Sequence, residues 1–148
     1  MSLLWNKIGA TTANFGYSNA AIHAYEEAIK TRPNYPRVWA NLGIAHSNLG
    51  DHQKAISSYA TSLSLNPNAE HIWHYIRLAA VSLEWSDMIE AANMKSLEHV
   101  RELLPTYEIY TSEDLPPPLI QTREDAEDAL LNIRSHILYN STYGEPYA

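Results

Sequence analysis

The sequence predicts an all-α superhelix of three stacked helix pairs with one further C-terminal helix, and three observations predict it. The chain matches itself at an offset of 34 residues: Trp5, Trp39 and Trp73 recur at that spacing, and Gly9 returns as Gly43, Gly16 as Gly50, Ala21 as Ala55, Tyr25 as Tyr59 and Pro33 as Pro67. Apolar residues inside each repeat recur every three or four positions, the period of a helix face rather than of a strand. Glycine and proline fall between these stretches, where turns and helix stops are needed.

Taken in order, the pattern predicts helices over residues 2–15 and 19–31, then 36–49 and 52–65, then 70–83 and 87–103. Gly16-Tyr17-Ser18 and Gly50-Asp51 mark the turns within the first two pairs, with Ser18 and Asp51 expected to cap the helices that follow. Gly9 and Gly43 let the two helices of a pair approach closely, and Pro33 and Pro67 stop the second helix before the next unit begins. The third unit departs from the pattern: Arg77 stands where the close-approach glycine is expected, Glu84 at the turn glycine, Ile89 at the small alanine and Asn93 at the tyrosine. Its helical spacing survives in Ile72, Tyr75, Ile76, Leu78, Ala79 and Leu83, so it is expected to remain a helix pair, without the tight crossing of the first two.

The unit pattern W-x2-[IL]-G, then A-x3-Y, then a proline resembles the tetratricopeptide repeat over about residues 2–101. The expected organisation is three such repeats over residues 2–104, a proline-containing linker over 105–121 with Pro116-Pro117-Pro118 extended, and a helix over 122–142 packing on the repeats. In that last helix Thr122 is the expected cap, and Ala126, Leu130, Ile133 and Ile137 form the apolar stripe.

Composition excludes several classes of function. The 148 residues contain no cysteine, which removes disulfides, thiolate nucleophiles and Cys-ligated metals. A net charge of −7 argues against nucleic acid, which needs a basic surface to replace counterions. The acidity is uneven: residues 1–104 hold 8 Lys/Arg against 9 Asp/Glu, and residues 105–148 hold 2 against 8. No apolar run is long enough for a membrane helix and the start, MSLLWNKIGA, lacks a secretory signal, so a cytoplasmic address is expected. The seven histidines are scattered; His71 and His74 are the closest pair, and no set with catalytic or metal-ligand spacing accompanies them. No enzyme and no cofactor is expected.

The polar residues that stand out lie on the first helix of each repeat, the helix that lines the concave face of such a superhelix. They are Asn6 and Asn14 in the first unit and Arg37, Asn41 and Asn48 in the second, the last three sharing one helix face. An asparagine amide both donates and accepts, so it pairs with a peptide main chain whatever the side chains are, and an arginine clamps a carboxylate. Asparagine is also an ordinary helix-surface residue here, with eleven in the chain, and spacing alone leaves both readings open.

At these residues the resemblance becomes narrower. LLWNKIGATTAN (3–14), RVWANLGIAHSNLG (37–50) and, more loosely, IWHYIRLAAVSLE (72–84) are similar to the last three repeats of the peroxisomal targeting signal 1 receptor family. The resemblance implies that Asn6, Asn14, Asn41 and Asn48 contact the main chain and terminal carboxylate of a peptide ending in Ser-Lys-Leu or similar, and that Arg37 is the groove arginine. It implies as partners the C-terminal peptides of peroxisomal matrix proteins, peroxisomal docking proteins reached through an N-terminal region that this chain lacks, and a receptor cycling between cytoplasm and peroxisomal membrane. Without the family's upstream repeats the chain is expected to be half of a clamp, with weak intrinsic peptide affinity and an apolar edge suited to self-association. The alternative is a tetratricopeptide scaffold or co-chaperone for another partner peptide. Chaperone clamps concentrate Lys and Arg on the inner helices, whereas this groove offers four asparagines and one arginine.

Overall fold

Among residues 2–105, which the computed structural model describes, seven helices follow the repeat: α1 (Ser2–Asn14), α2 (Ser18–Thr31), α3 (Pro36–Asn48), α4 (His52–Leu65), α5 (Glu70–Ser82), α6 (Ser86–Asn93) and α7 (Leu97–Leu103). The expected linker and C-terminal helix lie outside the described residues, apart from Pro105. Of the described residues, those up to Pro33 belong to one compact unit and those from Asn34 to Pro105 to a second. In the first, α1 packs on α2; in the second, α3 packs on α4, α4 on α5, α5 on α6, and α7 on both α6 and α4.

One turn device closes the first helix of every pair. After α3, Gly50 adopts φ 83°, its N–H donates to the Ser47 carbonyl at 3.0 Å, and the Asp51 N–H donates back to the His46 carbonyl at 2.9 Å. This crossed pair of bonds satisfies carbonyls that the helix end leaves without partners, and it requires one residue in the left-handed region. Gly16 does the same after α1. Glu84 does it after α5 at φ 53°, without the glycine that makes this conformation free of cost.

The single helix expected over 87–103 is instead two. The same device recurs at Lys95, φ 51°, whose N–H donates to the Ala92 carbonyl at 3.1 Å while the Ser96 N–H donates to the Ala91 carbonyl at 3.1 Å. Ser96 then starts α7, its Oγ accepting the His99 N–H at 3.2 Å. The redirected α7 brings Val100 and Leu104 into the core. The apolar period runs through the break, and a lysine occupies the turn where glycine would have signalled it, so periodicity alone joined the two pieces.

The two expected caps also differ. Ser18 is already the first residue of α2, and Asp51 precedes α4 without a side-chain hydrogen bond to it. At Tyr17 and Asp51 the backbone sits at ψ 63° and 61°, short of the extended value at which a capping side chain reaches the first amides; Ser96, at ψ 97°, does cap.

Packing within the pairs follows the repeat. Trp5, Trp39 and Trp73 are all buried. A Cβ placed on Gly43 would lie 2.5 Å from Cε1 of Tyr59, and Gly9 meets Tyr25 in the same way, so each tyrosine ring rests directly on the backbone of the facing helix. Burial pushes both tyrosine hydroxyls up to about 12. In the third pair both partners change together: Arg77 replaces the glycine, Asn93 replaces the ring, and Arg77 Nη1 donates to Asn93 Oδ1 at 3.5 Å. A further tie joins the start of the first helix to the end of the second. In the first unit Ser2 Oγ donates to the Ala28 carbonyl at 3.3 Å, and one period on Ser62 Oγ donates to the Pro36 carbonyl at 2.9 Å, so donor and acceptor have exchanged helices.

Candidate functional site

The second unit contains a groove between α3 and α5, lined also by Ser62 and Asn66 at the C-terminal end of α4, with a cavity volume of about 340 Å³. Its position follows from the repeat. Short turns hold α3 and α5 against the shared helix α4, and two pairs of lining residues, Arg37 with His71 and Asn41 with Tyr75, stand one period apart. Ala40 and Ile44 of α3 and Ile72 and Tyr75 of α5 make its apolar lining, while Arg37, Asn41, Asn66 and His71 supply polar groups. Such a mixture of apolar surface and a few convergent hydrogen-bonding groups suits an organic or peptide ligand.

The structure brings two of the expected site residues together. Arg37, in the first turn of α3, is exposed, and Asn41, one turn later on the same face, is half-buried; both line the groove. Asn48 shares their helix face but lies at the exposed C-terminal end of α3, outside the groove lining. Asn6 and Asn14 belong to α1 in the first unit, where Asn6 is buried at 8% exposure and Asn14 is the exposed last residue of the helix. Asn6 is therefore buried on α1, whereas Arg37 and Asn41 line the groove.

Most lining residues were not singled out for this role by the sequence, three with ring or amide groups among them. Asn66 follows the end of α4, and Tyr75 and His71 come from α5. The signal was present in the repeat, since His71 lies one period after Arg37. His71 and His74 flank one ring: His71 meets Tyr75 edge-on at 5.9 Å between centroids, and His74 meets it at 6.4 Å. Tyr75 in turn leans on buried Tyr59 at 5.6 Å, so the α5 wall is anchored to the core. His46 of α3 lies outside the groove lining. Burial above all, with Lys54 adding to it and Asp51 opposing, holds its imidazole below the usual histidine range, and its Nδ1 has no hydrogen-bond partner among the described residues.

Comparison with known families agrees with this architecture. A tetratricopeptide-repeat model matches residues 36–69, spanning α3, α4 and the turn before α5, and a second TPR-repeat model matches residues 18–50. The chain carries a tetratricopeptide-repeat domain. Neither match reaches α5, where the third unit of the domain departs from the pattern at Arg77, Glu84 and Asn93. Comparison with curated proteins finds no match. Repeat domains of this kind are non-catalytic scaffolds that present side chains on a concave surface to partner proteins and peptides. Among the described residues no group of three or more His, Asp or Glu could hold a metal ion, and no helix is long and apolar enough to cross a membrane.

Proposed function

We propose that the repeat domain grips the carboxyl-terminal segment of partner proteins in the α3–α5 groove, and that those partners carry peroxisomal targeting signals of the Ser-Lys-Leu type. The observation that carries the peptide-binding reading is the groove itself, where Arg37 and Asn41 stand over an apolar floor made by Ala40, Ile44 and Ile72. In this reading Asn41 and Asn66 pair with the ligand main chain, Arg37 attracts its terminal carboxylate, and the apolar floor takes one side chain. Asn6, Asn14 and Asn48 are proposed as further contacts on the strength of the sequence resemblance, which also motivates the proposed cytoplasmic receptor cycling to the peroxisomal membrane. The repeat matches support a peptide-binding scaffold for any partner equally well.

Fluorescence anisotropy separates these readings, using a labelled peptide ending in Ser-Lys-Leu beside its amidated form. The receptor reading expects the free-acid peptide to bind and the amide to bind more weakly. Replacing Asn41 by alanine should cost about 1–3 kcal/mol of that affinity, because ligand hydrogen bonds in the half-buried site go unmet. Equal binding of acid and amide, or no binding of either, would favour a scaffold for another partner peptide.

A further inference from the structure

The groove has a charge character that the asparagine pattern does not account for. Among the described residues no Asp or Glu lines it; its charged or chargeable groups there are Arg37 on the α3 wall and His71 on the α5 wall, one repeat period apart, and Tyr75 lines it too. His71 is exposed to a ligand, yet its ring is positioned, because it stands edge-on against Tyr75, which rests on buried Tyr59. The carboxylate nearest in sequence, Glu70, is engaged by Lys95 from the turn between α6 and α7. His74 lies on the same helix against Tyr75 without lining the groove, Arg77 is bonded to Asn93, and no charged residue of α4 or α6 lines it. An anion entering the gap meets positive charge from one wall and a titratable donor from the other.

We infer that His71 is a specificity-determining contact of this groove, which with Arg37 recognises the terminal carboxylate of the bound peptide. The inference rests on the peptide-binding reading above and names a residue and a condition for it. A neutral His71 donates at most one hydrogen bond to the carboxylate, whereas the protonated ring adds a charge-assisted one. The carboxylate of the ligand titrates far below neutral pH and stays ionised.

The test is the anisotropy titration with acid and amidated Ser-Lys-Leu peptides at about pH 6 and about pH 8. The acid peptide should bind about two- to fivefold tighter at the lower pH, the range expected for one added charge pair in contact with solvent. The amide should show no such gain. His71→Gln should remove the gain, His71→Lys should bind the acid peptide tightly at both, and His74→Gln, outside the lining, should behave as the unsubstituted chain. Protonation of His46 favours the unfolded chain, because its folded value is depressed; stability is therefore present above its unfolded value and falls as pH drops below it. Thermal melting at both pH values separates that loss from the binding effect. A pH gain that survives in His71→Gln, or that the amide shares, overturns the role of His71 and leaves the peptide-binding reading standing. Failure of the acid peptide to bind at either pH removes that reading, and this inference with it.

Discussion

Glu84 shows what a single residue costs in a repeat that reuses one turn. The backbone after α5 needs the left-handed conformation that Gly16 and Gly50 supply in the first two units, and Glu84 adopts it at φ 53° with a Cβ in the way. Glu84→Gly should therefore stabilise the domain by about 1 kcal/mol, the steric relief exceeding the added freedom of the unfolded chain. A urea midpoint that stays put or falls would mean that Glu84 earns its place through contacts of its side chain. The turn glycines were legible at this scale because they recur at a fixed offset. Glu84 and Lys95 were not, since nothing in a glutamate or a lysine announces a positive φ, and only the hydrogen bonds around them reveal the turn. The site divides in the same way. Arg37 and Asn41 were readable because one helix face carries both, while Asn66 and His71 reach the groove from separate elements, and only the packing of α3 and α5 against α4 brings them there.

At the scale of the helix pair, the distance between partners is set by what stands where α3 crosses α4. Gly43 meets the ring of Tyr59 so closely that an added methyl would lie 2.5 Å from it, and Tyr59, held by the surrounding core, has little room to withdraw. Gly43→Ala is expected to destabilise the domain by about 1–3 kcal/mol through overpacking. The third unit suggests the compensation, since Arg77 is accommodated there opposite Asn93 rather than a tyrosine. In a double-mutant cycle, Tyr59→Asn should lower stability by itself and make the added cost of Gly43→Ala much smaller. Strictly additive losses would show that the glycine is needed for a reason other than the ring. The sequence displayed both halves of this exchange at positions 77 and 93, one period after 43 and 59. It left open the response of the backbone, which keeps α6 short and turns the chain into α7.

For the molecule as a whole, the buried apolar cluster that contains Tyr59 runs from Ala40 to Leu104 and draws on α3 to α7, without a residue of α1 or α2. Among the described residues, α1 and α2 bury Trp5, Ala24, Tyr25 and Ala28 in the other unit. This unequal division yields a prediction about folding. A polypeptide of residues 34–104 includes the whole of the larger cluster, its turn bonds and the α7 cap that covers its end, so it should melt in one cooperative transition. A peptide of residues 2–33 falls below the roughly 40 residues at which a chain without disulfides or metals usually folds alone, and it should lose its helical signal gradually on heating. Circular dichroism melts of the two pieces check this directly. Loss of cooperativity in 34–104 would mean that the second unit depends on residues outside its own cluster, and the groove would then have to be studied only in the longer chain. A cooperative 34–104 that also binds the acid peptide would locate recognition in α3, α4 and α5, with Arg37, Asn41 and His71 as its polar contacts.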